Sequence, residues 1–108
     1  MVTNIGTSEH VDDQAAVWEN MNRAAGKVLV CITPSPCNWP GHGLFYPSEA
    51  FYSEFADLNG FTLSRCYTAG PEGRQLTYAR LERRVYKPDF FRMADGMRAA
   101  PPRAPKKR

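Results

Sequence analysis

The segment from Lys27 to Thr33 constrains the fold of this chain more than any other stretch. Its five inner residues, Val-Leu-Val-Cys-Ile, are all apolar, and the run is continuous rather than alternating. Such a run is typical of a strand that is covered on both faces, as in a parallel sheet. Pro34 and Pro36 follow and end the strand, because proline has no N–H for a sheet ladder.

Amphipathic segments stand on either side of this strand. Asp12 to Ala25 predicts a helix that begins at Asp12 or Asp13 and stops before Gly26. A second helix is predicted from a Ser48 cap to Asn59-Gly60. The apolar stripes of the two helices are Val11, Ala15, Trp18, Met21 and Ala25 in the first, and Phe51, Phe55 and Leu58 in the second.

Strand patterns also occur near both ends of the chain. Met1 to Ile5 is typical of the end of a strand, and Phe61 to Thr68 alternates between apolar and polar residues. Gln75 to Tyr86 follows a turn rich in Gly and Pro, which predicts an antiparallel hairpin. The order is therefore that of an α/β fold with a C-terminal hairpin. The alternation places Phe61, Leu63 and Tyr67 on one face of the first hairpin strand.

Charge is distributed unevenly along the 108 residues. The net charge of +3 comes from a tail, 94–108, which is predicted to be disordered. Arg80, Arg83 and Arg84 are interpreted as a solvated face of the last strand. The body is near neutral, so the composition does not favour a nucleic-acid partner. No run is long enough to span a membrane, and no signal peptide is recognisable.

Three cysteines, an odd number, predict reduced and mostly buried thiols in a cytoplasmic protein. Cys31, Cys37 and His42 do not match a common zinc pattern, and a fourth ligand is lacking. The sequence therefore assigns no metal site.

A polar octet, Asn4 to Val11, precedes the first helix. Glu9 and His10 follow a strand directly, which predicts a position at the end of the sheet where α/β proteins bind ligands. His10 is a candidate to take a proton from a substrate. The alternative is that Glu9 caps the helix and His10 is an ordinary loop residue.

The loop from 34 to 47 is unusually aromatic for a connector. Either it packs on its own hydrophobic residues, or it lines a pocket. The candidate ligand-contacting residues are Trp39, His42, Phe45 and Tyr46.

Three motifs in register resemble a known family. The octet and its continuation read Asn4-x-Gly6-Thr7-x-Glu9-His10-Val11-x-x-Gln14; the later motifs are Gly41-His42-Gly43 with Pro47-Ser48-Glu49-Ala50-Phe51-Tyr52, and Leu58-Asn59-Gly60-Phe61. This series is similar to class I S-adenosylmethionine-dependent methyltransferases of the bacterial N-x-G-T-x-E-H subgroup.

The resemblance implies a partial Rossmann-like sheet containing the family's strands five, six and seven, with strand seven antiparallel between the other two. It also implies roles for individual residues. Gly6 and Thr7 would contact S-adenosylmethionine, and Glu9 and His10 would be catalytic. Trp39, His42, Phe45 and Tyr46 would bind the methyl acceptor.

The family's Gly-rich turn and ribose-binding acidic residue have no counterpart here. The resemblance therefore implies that residues 1–93 form the C-terminal half of a methyltransferase-like domain, active when an N-terminal half from a partner chain completes it. The alternative is a non-catalytic remnant that serves as an interaction module. Lys27–Thr33 is then an apolar edge strand through which the chain pairs with a second copy or another protein.

Overall fold

A computed structural model describes residues 1–85 and 91–92 and confirms an α/β fold with a four-stranded mixed sheet. The predicted strand end at Tyr86 and the predicted disordered tail, 94–108, lie outside the described residues. The elements are β1 (Val2–Ile5), a 3₁₀ helix (Ser8–His10), α1 (Gln14–Ala24), β2 (Val28–Pro34), α2 (Glu49–Asn59), β3 (Phe61–Ala69) and β4 (Leu76–Arg83).

The strands lie in the order β1-β2-β4-β3. β1 and β2 are parallel, whereas β4 runs antiparallel to both β2 and β3. The prediction that Lys27–Thr33 is an edge strand is therefore wrong. Its strand pairs with β1 on one side and with β4 along its whole length on the other. The second strand of the hairpin, β4, pairs with the edge of β2 that β1 leaves open. The edges of the described sheet are therefore β1 and β3.

Both helices pack against one face of the sheet. Trp18 of α1 is fully buried and makes edge-to-face contacts with Phe51, Tyr52 and Phe55 of α2. The rest of the buried core comprises Ala25, Leu29, Cys31, Ala56, Phe61, Ala79 and Leu81.

Burial along β2 alternates, with Leu29 and Cys31 buried and Val28, Val30 and Ile32 only half-buried. Within residues 1–85 and 91–92, the face opposite the helices is thus partly open. The expectation that β2 is covered on both faces is wrong for this part of the chain.

A β-bulge in β3 changes the face to which its side chains point. The pairing with β4 shifts register between Leu63 and Arg65. After the shift, Cys66 packs against the core, while Tyr67 stacks on Tyr78 with ring centroids 5.2 Å apart. The prediction that Tyr67 shares a face with Phe61 and Leu63 is wrong, because an extra residue reverses the alternation.

The helix ends follow the capping signals of the sequence. Asp13 accepts a hydrogen bond from the Ala16 N–H at 3.0 Å, and Ser48 accepts one from the Phe51 N–H at 3.0 Å. Gly60 ends α2 with a φ of 78°, a left-handed conformation that glycine adopts without strain.

Arg83 is a structural residue and not part of a solvated face. Its guanidinium donates to the carbonyls of Ala25 at 2.9 Å and Asn59 at 3.0 Å, and to the side-chain and main-chain oxygens of Asn22. It also lies 4.0 Å from the ring centre of Phe61. One positive charge therefore ties the C-terminal ends of both helices to β4, where the helix dipoles favour a cation.

Candidate functional site

The polar octet leads from β1 into a turn at the carboxyl ends of the two parallel strands. Gly6 has a φ of 64°, and its N–H donates to the carbonyl of Ile32 at 3.1 Å. Asn4 and Ser8 then bond reciprocally: the Asn4 amide donates to Ser8 Oγ at 2.7 Å, and the Ser8 N–H donates to Asn4 Oδ1 at 3.1 Å. These bonds fix the 3₁₀ helix that carries Glu9 and His10.

Gln14 connects the turn to the core. Its amide nitrogen donates to the carbonyls of Ser8 at 2.7 Å and Val11 at 2.6 Å, while its oxygen accepts from the Trp18 indole at 2.9 Å. Asn4 of the octet and Gln14 of its continuation therefore have structural functions. They hold the backbone around Glu9 in place.

Glu9 is a buried carboxylate without a hydrogen-bond donor. Its side chain has 0% exposure, and neither carboxylate oxygen has a hydrogen-bond partner among the described residues. Burial of a neutral polar group without a hydrogen bond costs roughly 2–7 kcal/mol, and burial of an ionised group without one costs more. Glu9 does not cap α1; Asp13 does.

Two imidazoles face this carboxylate. His10 Nε2 and His42 Nε2 each lie 3.6 Å from Glu9 Oε2, and their side chains are 48% and 43% exposed. The ring centroids are 4.7 Å apart, in an edge-to-face arrangement. The chain has two histidines in all, and both converge on the same buried acid.

The loop after β2 is fastened to the β3–β4 turn, which brings His42 to Glu9. The Trp39 N–H donates to the carbonyl of Gly73 at 2.8 Å, and its indole donates to the carbonyl of Gln75 at 2.9 Å. The His42 N–H donates to the carbonyl of Trp39 at 3.0 Å. The position of His42 therefore depends on Trp39.

Gly43 allows the loop to approach Glu9 closely. A Cβ at this position would lie 2.8 Å from Glu9 Cγ and 2.9 Å from the Glu9 carbonyl oxygen. The next residue, Leu44, donates its N–H to that same carbonyl. The loop backbone is thus locked onto the turn that carries the carboxylate.

Phe45 and Tyr46, predicted as acceptor-binding residues, have other contacts. Phe45 packs on the core against Phe51, with ring centroids 5.2 Å apart. The Tyr46 hydroxyl accepts from the Gly43 N–H at 2.9 Å and donates to the carbonyl of Trp39. Both alternatives for this loop are therefore found: Phe45 and Tyr46 pack it, while Trp39 and His42 line a pocket.

The pocket has a volume of about 200 Å³ and lies at the carboxyl ends of β1 and β2. Glu9 and His42 lie together in a wall that is otherwise largely apolar. The lining residues are Ile5, Gly6, Glu9, Ile32, Pro34, Trp39, His42 and Leu76. Ligands of open α/β sheets bind at this end of the strands.

Gly6, one of the two predicted cofactor-contacting residues, lines the pocket. Thr7 is exposed, and its hydroxyl donates to the carbonyl of Ile5 at 3.3 Å. Sequence reasoning found Glu9, His10 and His42 separately but missed their convergence. One signal in the sequence could have suggested it. The chain has two histidines, of which one follows a glutamate and the other lies between two glycines in a loop.

The three cysteines are free thiols, but the prediction that they are mostly buried is wrong: Cys31 is buried, Cys66 is half-buried and Cys37 is exposed. Cys31 lies in the core, and burial raises its pKa from 9.0 to about 12. His42 lies with Glu9 and His10 instead, and the group of possible metal ligands found among the described residues contains no cysteine.

Comparison with protein-family models, with curated proteins and with solved structures finds no match to this chain. The two α-helices of the described part have eleven residues each, and neither is long and apolar enough to cross a membrane.

Proposed function

We propose that residues 1–93 are a methyltransferase-like half-domain that transfers a methyl group from S-adenosylmethionine once a cofactor-binding half completes it. One observation carries this proposal: β4 lies antiparallel between β2 and β3, and the motif-bearing turn stands at the carboxyl end of β1. This is the strand arrangement that the motif resemblance implies. An arrangement set by long-range pairing is independent of the short motifs that suggested it.

The site offers roles to the residues around the pocket. The acceptor's hydroxyl or amine would lie against Glu9, which lines the pocket. Glu9, with His10 Nε2 at 3.6 Å from its Oε2, would take the proton as the methyl group transfers. Trp39 and His42 line the pocket from the opposite loop and would orient the acceptor. Because methyl transfer is an in-line displacement, most of the rate enhancement would come from positioning.

S-adenosylmethionine would supply the methyl group, and the turn at Gly6 and Thr7 would hold its methionine part. The pocket of about 200 Å³ is smaller than the roughly 300–1,000 Å³ that enclose a drug-sized ligand. These residues therefore fit one end of the cofactor and leave the nucleoside to another part of the assembly.

The edge of β1 is where a cofactor-binding half would join. In the described sheet β1 pairs with β2 alone, so its other edge is unpaired. Ile5, at the end of this strand, is 59% exposed. A strand added here would extend the sheet and cover the apolar side chain.

The cytoplasmic location expected from the free thiols is part of the same proposal.

The test is calorimetric titration with S-adenosylmethionine. The chain is titrated alone and after mixing with N-terminal halves of bacterial class I methyltransferases that end before their fourth strand. We expect saturable binding only in a mixture. His42→Ala should leave that binding unchanged and lower methyl transfer. Absence of binding in every combination would reject the enzyme proposal.

The unpaired β1 edge also favours a second candidate, a non-catalytic interaction module. The half-buried Val30 and Ile32 on the open face of the sheet, beside exposed Ile5, are the apolar surface that a partner would cover. Such a module should form dimers or a stable complex. A monomer at high concentration in light scattering would count against self-association through this edge.

A further inference from the structure

In the cluster of Glu9, His10 and His42, three possible metal-ligand atoms lie close together, an arrangement that proton transfer alone does not require. Each residue offers one ligand atom, and these three atoms lie within 4.8 Å of one another. We infer that the three side chains form a binding site for one divalent transition-metal ion, for which Zn²⁺ is the best fit.

The donor set determines the class of metal. Two imidazole nitrogens and one carboxylate oxygen suit Zn²⁺, Fe²⁺ or Ni²⁺, whereas Mg²⁺ and Ca²⁺ prefer oxygen ligands throughout. Tetrahedral zinc with bonds of roughly 2.0–2.2 Å places its ligand atoms about 3.4 Å apart. The two Nε2–Oε2 distances of 3.6 Å are close to this value. The three ligand atoms together span up to 4.8 Å, so the two half-exposed imidazole rings would rotate toward each other when the ion binds.

Burial of Glu9 is the independent observation that points to a cation. Among the described residues, the ion-pair partners of this carboxylate are the two histidines alone. Both of its oxygens lack a hydrogen-bond donor. A metal ion would neutralise the charge through Oε2, and burial of a charge is tolerated when it coordinates a metal.

The backbone around the carboxylate is fixed before any ion arrives. The Asn4–Ser8 bonds hold the turn, and the loop backbone at Gly43 lies directly against Glu9. Preorganised ligands lose little conformational entropy on binding. The site is therefore built by the fold rather than assembled by the ion.

Three protein ligands leave at least one coordination position open. Since Glu9 and His42 both line the pocket, this position faces it. Three ligands with an open fourth position characterise catalytic rather than structural zinc sites. At this open position the ion would bind a small molecule through a hydroxyl or carboxylate oxygen. The metal would make a bound hydroxyl more acidic and would neutralise the charge of a bound carboxylate. Metal binding does not require methyl transfer, so failure of one proposal does not decide the other. A chain that holds the ion would not use Glu9 Oε2 and His10 as proton acceptors at the same time.

The experiment uses the full chain after dialysis against a chelator. Zn²⁺ is titrated in competition with a chromophoric chelator, and Co²⁺ is used separately because its visible absorption reports tetrahedral coordination. We expect one equivalent of metal per chain. His42→Ala and His10→Ala should each weaken binding by about 100-fold, because each removes one of three ligands.

Two substitutions serve as controls. Cys37→Ser removes the exposed thiol in the same loop, and Glu72→Gln removes an exposed carboxylate in the β3–β4 turn. Neither should change the affinity. Glu9→Gln should abolish tight binding, and circular dichroism establishes whether it is folded. If Glu9→Gln does not fold, the metal affinities of His10→Ala and His42→Ala decide the outcome.

Saturable binding that both histidine variants lose and both controls keep would support the site. Absence of saturable binding by Zn²⁺ and Co²⁺ would overturn it. Binding that survives His42→Ala and His10→Ala, or that Cys37→Ser removes, would also overturn it, since the ion would then lie elsewhere.

Discussion

The two ends of the sheet each hold a charged side chain, and these two side chains differ in their hydrogen bonding. At the end where β2 begins, the guanidinium of Arg83 donates to oxygens of Asn22, Ala25 and Asn59. At the carboxyl end of β2, the carboxylate of Glu9 is fully buried and has no hydrogen-bond donor among the described residues. A charge with many partners holds the scaffold together. A buried charge without them indicates a site that a ligand completes.

Removal of the Arg83 guanidinium, which donates to oxygens at the ends of both helices, should have the largest effect. Arg83→Ala leaves carbonyls at the ends of both helices without a donor, so we expect the free energy of unfolding to fall by about 3 kcal/mol. Urea denaturation followed by circular dichroism measures it. Arg80→Ala is the matched control, because its exposed ion pair with Glu82 at 3.4 Å should contribute less than about 0.5 kcal/mol. Equal losses in the two variants would contradict the structural role of Arg83.

At the other end of the sheet, Gly43→Ala should disturb the geometry of Glu9. The added methyl group would overlap the Glu9 side chain and carbonyl, and we expect a loss of about 2 kcal/mol of stability. Gly26→Ala is the control, since a Cβ there meets nothing within 4 Å. If Gly43→Ala is as stable as the wild type, the loop does not lie against Glu9.

The core between the two ends should make stability depend on alkaline pH. Burial raises the pKa of Cys31 to about 12 and that of Tyr52 well above 10.0. Both groups therefore keep their protons in the folded state after the unfolded chain has lost them. Their contribution is full below the unfolded pKa of each group and is lost as pH rises toward the folded pKa.

For Cys31 alone, we expect a loss of about 1.5 kcal/mol between about pH 9 and 10.5. Denaturation curves at several pH values measure this slope. Cys31→Ala should reduce the slope without abolishing it, because Tyr52 remains. Cys37→Ala, which changes an exposed thiol, should leave it unchanged. A slope that is identical in all three proteins would contradict the burial of the Cys31 thiol.

The smallest effect should have the opposite sign. Glu9→Gln keeps the shape of the side chain and removes a buried charge that lacks donors. In the metal-free protein we therefore expect a gain of about 1 kcal/mol in stability, at the expense of the site. Glu72→Gln, at an exposed position, should change little. A clear loss of stability in Glu9→Gln would mean that the Glu9 carboxylate already has stabilising partners, which would remove the contrast with Arg83.

The sequence by itself determined the local elements. The apolar run gives β2, and Asp13, Ser48 and Gly60 end the helices where capping chemistry requires. These features depend on groups a few residues apart, so period and capping residues suffice to predict them. The identity of Glu9, His10 and His42 as candidate residues followed from the same local patterns.

Tertiary structure alone decided which elements and side chains meet. It moved Tyr67 to the open face through a bulge, and it gave Arg83 its partners on two helices. It also brought His42 to the carboxylate of Glu9 from a separate loop. These outcomes depend on long-range pairing and on a single-residue register shift, and a local pattern contains neither.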